Sequence, residues 1–168
     1  VTIGSNVKNI PAYFIRGCVN VQSIIIPESV TSIGESAFSY TGLTSVTLSE
    51  GLTNIGNRAF FDCSSLTSIT IPESVTNIGS EAFIGTKLTS VIFNASSCSD
   101  GYFDNLPSLK SVTIGSNVKN IPAYFIHGCV NVQSIIIPES ATSIGASAFS
   151  GCTGLTSVTI PSSVTSIG

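Results

Sequence analysis

Apolar side chains recur along this chain in one repeated phrase. From Leu66 it reads LTSITIPESVTNIG, and close variants begin at Leu43 (LTSVTLSEGLTNIG) and Leu155 (LTSVTIPSSVTSIG). The general form is L-x-S-[IV]-x-[IL]-P-E-S-V-T-x-I-G-x-x-A-F-x-x-C-x-x. Its fourth and sixth places alternate with polar or β-branched neighbours, the period-two signature of a strand with one buried face. Proline at the seventh place ends that strand because it has no N–H for a ladder. The tenth place (Val30, Leu52, Val75, Val118, Val164) and the thirteenth (Ile33, Ile55, Ile78, Ile121, Ile144, Ile167) are apolar again, followed by Gly and then by pairs such as Ala37-Phe38 or Ala59-Phe60. This pattern predicts a second extended piece, a turn, and about one helical turn on the outer side.

Repeats begin at Val21, Leu43, Leu66, Leu88, Leu109, Val132 and Leu155, spaced 21 to 23 residues apart, and Val1 enters at the fourth place of an earlier one. A single repeat cannot bury its own apolar columns, so stability must come from stacking each coil on the next at the ~4.8 Å spacing of hydrogen-bonded strands. The expected architecture is a solenoid filling residues 1–168, with Phe38, Phe60, Phe83 and Phe149 and the thiols of Cys63, Cys129 and Cys152 inside. The chain opens and closes in mid-phrase without an atypical capping repeat, which reads as an excerpt from a longer array. Residues 1–34 return at 112–145 with only Arg16/His127 and Val30/Ala141 exchanged, an offset of five coils. Copying of that kind favours a modular surface over a unique active site.

Composition narrows the partner. Charged residues make up 9% of the chain, against about 25% in ordinary soluble domains, with Ser, Thr and Asn filling the deficit. The net charge is -3 and the six basic residues stand singly, so no basic patch faces a phosphate backbone and nucleic acid is not an expected partner. No apolar run approaches the length of a membrane span. These residues show no secretory leader pattern, so targeting information, if any, is expected outside them.

Reactive constellations are sparse. Cys18, Cys63, Cys129 and Cys152 each fall three residues before the next coil, Cys98 stands apart, and the total is odd. A closed disulfide framework therefore does not fit, and Leu106 in the same slot of another coil points to a buried thiol acting as a small hydrophobe. Zinc ligation would need converging ligands such as C-x-x-C, which are missing; Cys129 and Cys152, in adjacent coils, are the one pair that could bond on oxidation. The single histidine, His127, stands where its duplicate has Arg16, an exchange that a metal ligand or catalytic base would not tolerate, and it reads as an exposed polar residue. Serine is plentiful but has no G-x-S-x-G and no His–acid pair behind it; the recurrent Gly never forms a phosphate loop. Pro11 and Pro122 replace that Gly in two coils, which suggests a simple turn position. No cofactor is implied.

Three surface features remain. Glu28, Glu50 and Glu73 share the eighth place in successive coils and Glu139 repeats it. Neighbours ~5 Å apart in water repel by only about 0.8 kcal/mol, so a solvated rim explains them, with a weak cation site or a glycosidase-like acid pair as the functional alternatives. Asp100 and Asp104 lie in the irregular stretch NASSCSDGYFDNLPS, where a functional bulge or plain decay of the array are both open; Asn94-Ala95-Ser96 there matches an N-glycosylation acceptor. The broadest candidate is the outward side of the strands: Ser23, Ser45, Ser68, Ser90, Ser111 and Ser134 at the third place, and Ile25, Thr47, Thr70, Ile92, Thr113 and Ile136 at the fifth. Such ladders can satisfy one another and merely stiffen a sheet, or present a rigid, nearly neutral platform to a protein or glycan.

The phrase LTSITIPESVTNIGSEAF with its Cys slot resembles the BspA-like, or Treponema pallidum type, leucine-rich repeat family across essentially the whole chain. The resemblance implies an α/β-type, β-dominated leucine-rich repeat solenoid: a curved right-handed array of 22–23-residue coils with one parallel strand per coil on the concave face. It further implies, for many members, surface-exposed or secreted proteins that bind host extracellular-matrix or cell-surface proteins, and it brings no shared catalytic residues. The coil from Leu88 departs most from the family pattern. The expected role is thus a non-enzymatic adhesion or interaction module with a protein ligand. The alternatives are a spacer that projects another domain and, with less support because Ile25, Ile92 and Ile136 interrupt the hydroxyl rows, a glycan- or ice-surface binder.

Overall fold

The computed structural model describes residues 1–98 and 102–168, and among them it contains short parallel strands and no helix. Numbered along the chain, the strands are β1 (Asn9–Ile10), β2 (Ser23–Ile25), β3 (Ser32–Ile33), β4 (Ser45–Thr47), β5 (Asn54–Ile55), β6 (Ser68–Ile71), β7 (Asn77–Ile78), β8 (Ser90–Phe93), β9 (Ser111–Ile114), β10 (Asn120–Ile121), β11 (Ser134–Ile136), β12 (Ser143–Ile144), β13 (Ser157–Thr159) and β14 (Ser166–Ile167). They form two columns, so each regular coil carries two strands. The Ser-[IV]-x column makes the sheets β2-β4, β6-β8-β9 and β11-β13; the [SN]-Ile column makes β1-β3-β5-β7 and β10-β12-β14. Every pairing is parallel and joins equivalent places of neighbouring coils, as in Ser68↔Ser90↔Ser111 and Asn54↔Asn77. The second extended piece predicted from the Val-x-x-Ile spacing is therefore a ladder in its own right.

The predicted helical turn is not there, and the hydrogen bonds show why. In the outer turn of the coil from Val21, the N–H groups of Ser36, Phe38 and Tyr40 donate to the carbonyls of Asn57, Ala59 and Phe61 in the next coil. The N–H groups between them, of Ala37 and Ser39, fold back to Gly34 and Ser36. Alternate donors are committed to the neighbouring coil, so an i→i−4 helix cannot form. The price is backbone geometry: Tyr13, Ser36, Arg58, Glu81, Tyr124 and Ser147 hold one left-handed position of these turns, with φ between 51° and 60°. A second is held by Gly17, Gly85, Gly128 and Gly151 but also by Tyr40, Asp62 and Asn105.

The interior follows the predicted columns. Phe38, Phe60 and Phe83 are fully buried, and Phe103 continues the column through the irregular coil. Phe38–Phe60, Phe60–Phe83 and Phe83–Phe103 stack with centroids 5.2, 5.5 and 5.0 Å apart, after which Phe103–Phe125 turns edge-on at 5.9 Å. Phe149 departs from expectation: it is only half-buried, packed against the core from one side, because no coil of this chain stacks over it.

Two readings of slots need correction. The Gly after the Ile is set by close approach as much as by the turn: a Cβ on Gly34 would lie 2.5 Å from the Ala12 nitrogen, and one on Gly56 2.8 Å from the Gly34 carbonyl carbon. Pro122 follows the irregular coil from Leu88, which has no Ile-Gly piece to approach it. The Cys slot is not purely apolar either. Cys63, Cys129 and Cys152 are buried, and each Sγ–H donates to a carbonyl of the preceding coil, Phe38, Phe103 and Ile126, at 3.1, 3.0 and 3.0 Å. Where a coil has one residue fewer before the next Leu, Thr41 and Thr86 take over, with buried hydroxyls donating to the Phe38 and Phe83 carbonyls at 2.8 and 2.7 Å. The thiols of Cys18, Cys63, Cys129 and Cys152 form no disulfide; Cys98 is buried as well, whereas Cys18 is exposed.

Candidate interaction surface

Alternation along the first strand column sends the fourth and sixth places inward, so the third and fifth face out. Ser23, Ser45, Thr47, Ser68, Thr70, Ser111, Thr113 and Ser134 are exposed and Ser90 is half-buried. Between them stand aliphatic side chains that solvent should disfavour: Ile25 is 69% exposed, Ile136 82% and Ile92 42%. Strand register aligns these residues in two rows, Ser beside Ser and Thr or Ile beside its counterpart.

The hydroxyls of this face differ from those elsewhere in the coil. Thr31, Thr53, Thr76 and Thr142, at the eleventh place, each donate to a carbonyl of the preceding coil at 3.0 to 3.3 Å, and Thr44, Thr89 and Thr156 at the second place do the same. Among the described residues, the third- and fifth-place hydroxyls make no hydrogen bond within the protein. Of the two readings of these rows, ladders that satisfy one another are not formed among the described residues, and the donors and acceptors of this face are left to solvent or a ligand.

Two shallow grooves cross the face at equivalent places. One, of about 290 Å³, lies between β9 and β11 and is lined by Ser111, Thr113, Ile114, Ser134, Ile136 and Pro138. The other, of about 330 Å³, lies beside β2 and is lined by Thr2, Ile3, Ser23, Ile25 and Pro27. Thr2 matches Thr113, Ile25 matches Ile136 and Pro27 matches Pro138 at the 111-residue offset. The five-coil duplication has therefore duplicated a groove, at a separation of roughly 24 Å if five coils each rise ~4.8 Å.

The remaining candidates fall into structural places. Glu28, Glu50, Glu73 and Glu139 are exposed; Glu50 accepts a hydrogen bond from the Glu73 N–H at 3.1 Å, so this rim joins coils. Among the described residues no group of three or more His, Cys, Asp or Glu side chains comes together as a metal cage. Asp104 is half-buried and accepts from Asn105 Nδ2 at 3.1 Å; Asp100 lies outside the described residues. Asn94 is half-buried. His127 is half-buried, not exposed, and meets the Tyr124 ring edge-on at 5.9 Å. Burial raises the thiol pKa values of Cys63 and Cys152, and that of Cys129 from 9.0 to about 11, the opposite of an activated nucleophile. One cluster went unread in the sequence: Tyr13, Arg16, Tyr40, Arg58 and Phe61 gather on the outer turns. Their placement at matching turn positions of successive coils was the available signal.

With the coil and its faces described, comparison places the chain. The BspA type leucine rich repeat region matches residues 1–99 and 94–168, in six copies. The chain belongs to this family of leucine-rich repeat proteins. Among solved structures, it is similar to a leucine-rich repeat protein from Bacteroides ovatus, with 27% identity and a TM-score of 0.75 over 96% of this chain and 43% of that one. A leucine rich cell surface protein from Faecalibacterium prausnitzii is 29% identical, with a TM-score of 0.54 over 98% of this chain and 54% of the other. The T. pallidum leucine-rich repeat protein is 27% identical, with a TM-score of 0.62 over 96% and 67%. The chain thus spans about half the length of the first two. A search of the curated proteins finds no significant match. No helix among the described residues is long and apolar enough to cross a membrane.

Proposed function

We propose that this chain is a non-enzymatic interaction module of a cell-surface or secreted protein, docking a protein ligand of a host matrix or cell surface across the outward face of the first strand column. The observation that carries the reading is the contrast in hydroxyl use. Side chains at the second and eleventh places bond the coils together, whereas the Ser and Thr rows beside Ile25, Ile92 and Ile136 hold unmatched donors and acceptors around exposed aliphatic groups. A partner strand or loop laid along these rows would match the hydroxyls and cover the isoleucines, the mixture of apolar anchor and polar surround found at interfaces. The similarity to a protein described as a leucine rich cell surface protein supports the location.

The test is binding of the immobilised chain to a panel of matrix proteins and mucins, repeated with Ile25→Asp and Ile136→Asp. Binding that weakens in each single variant and is lost in the pair supports the face; a blank panel, or binding indifferent to both changes, removes it. The near-identity of residues 1–34 and 112–145 favours a second reading, a spacer that holds another domain away from a surface. The residues flanking the array in the full protein decide between the two, since a spacer requires a separate binding domain.

A further inference from the structure

The outer turns of the first coils hold a third groove, of about 250 Å³, lined by outer-turn residues and not by the strand rows. We propose that it is a binding site for a single sugar unit bearing a carboxylate, with Arg16 taking the acid group, the Tyr13 and Tyr40 rings the carbohydrate face and Glu35 the hydroxyls.

Arg16 supplies the first argument. Its guanidinium carbon sits 5.8 Å from the Tyr13 ring centroid and 5.3 Å from that of Tyr40, so two aromatic faces hold the cation. Arg58, in the same groove, is bound to Glu81 at 2.7 Å. The Arg16 guanidinium forms no ion pair and no hydrogen bond among the described residues, which leaves its planar array of N–H donors open to a carboxylate in the two-pronged geometry that group favours.

Tyr40 supplies the second. It has φ of 60° at the turn position that Gly17, Gly85, Gly128 and Gly151 hold in other coils and that Asp62 and Asn105 also hold, so the conformation belongs to the repeat and the ring to this coil. A bulky ring is rare in that conformation. The turn puts a 42%-exposed ring against Arg16.

The charge pattern selects the ligand. Arg16 and Arg58 are balanced by Glu35 and Glu81, so the groove is not a basic funnel for polyanions. Glu35 accepts from the Tyr13 hydroxyl at 3.3 Å and has acceptor capacity left for a second donor. A ligand that offers one carboxylate, several hydroxyl donors and a C–H face to stack on a ring meets all three demands. The volume falls below the roughly 300 Å³ at which drug-sized pockets begin, which fits one ring.

The duplication serves as an internal control. At the 111-residue offset Arg16 becomes His127, Glu35 becomes Ala146 and Tyr40 becomes Gly151, while Tyr13 persists as Tyr124. The fold keeps its turn without the three groups that would hold the sugar.

The chain has no tryptophan and four tyrosines, so tyrosine fluorescence reads the groove directly. Titration with glucuronic acid and with N-acetylneuraminic acid, against glucose and sodium acetate at matched ionic strength, should give a saturable response to at least one acid and to neither control. Arg16→His and Tyr40→Gly, each installing the residue of the sister turn, should leave thermal unfolding intact and weaken that response at least tenfold. Equal response to glucose or acetate, preference for a glutamate-rich peptide over both sugars, no saturable response in the millimolar range, or binding unchanged in both variants would overturn the proposal. The Asp variants at Ile25 and Ile136 should not affect this titration, so failure here leaves the strand-face reading standing, and the reverse.

Discussion

Residues 1–34 and 112–145 share all but two side chains yet differ in burial. Phe14 is 41% exposed and Phe125 fully buried; Cys18 is exposed and Cys129 buried; Ile15 is half-buried and Ile126 fully so. The segments differ in what lies against them. The later one is covered by coils on both sides, the earlier one by a coil on one side alone. In most proteins, burial and sequence cannot be separated, because each core residue occurs once. Here the same phrase occurs in both settings, and the difference shows that a coil's interior is made by its neighbours, as nearest-neighbour stabilisation of repeat arrays requires.

The sharpest way to break this comparison is to truncate the matched rings. Phe125→Ala should cost about 3 to 5 kcal/mol in a urea titration, whereas Phe14→Ala should cost well under half of that. Equal losses would falsify the role given to stacking. The matched thiols give the second contrast: a thiol reagent should label Cys18 in the folded protein at the rate of an exposed cysteine, and Cys129 only through opening of the array, so that its rate falls as stability rises.

A pH series sharpens the same pair. Burial holds the Cys129 thiol protonated up to about 11, above its ordinary 9.0. Between those values the unfolded chain binds fewer protons than the folded one, so stability should be full below about pH 9 and decline as pH rises toward 11. Cys129→Ala should lessen that decline without abolishing it, since burial raises the Cys63 and Cys152 thiols as well. The smallest effect belongs to the strand face: Thr47→Ala should change stability by no more than about 0.5 kcal/mol, since its hydroxyl holds no other part of the protein.

Much of this fold was readable from spacing, for reasons the coil makes plain. Strand places, the Ile column and the buried phenylalanines follow from alternation and from the identical demand each coil makes on its neighbour. The outer turn was not readable, because Ala-Phe pairs suit a helix locally and only the alternate donation of N–H groups to the next coil rules it out. The Thr41 and Thr86 replacements for Cys escaped for a similar reason: they sit one residue nearer the next Leu, and only coordinates show that they close the same turn. On the candidate face, the Ser and Thr rows could be placed but their hydrogen bonding could not. That Thr53 binds a carbonyl of the previous coil while Thr47 binds nothing in the protein depends on which side of the backbone each projects from.

The two strand columns break in different places. The first is interrupted between β4 and β6 and between β9 and β11, where the second runs on through Asn54↔Asn77 and Asn120↔Ser143. The second stops between β7 and β10, where the first continues through β6, β8 and β9. The joints are offset like those of bricks laid in running bond, so no plane across the array cuts through weak courses alone. A pull along the long axis meets intact mortar at every level, so the array should resist tension as one body, whichever coil bears the load.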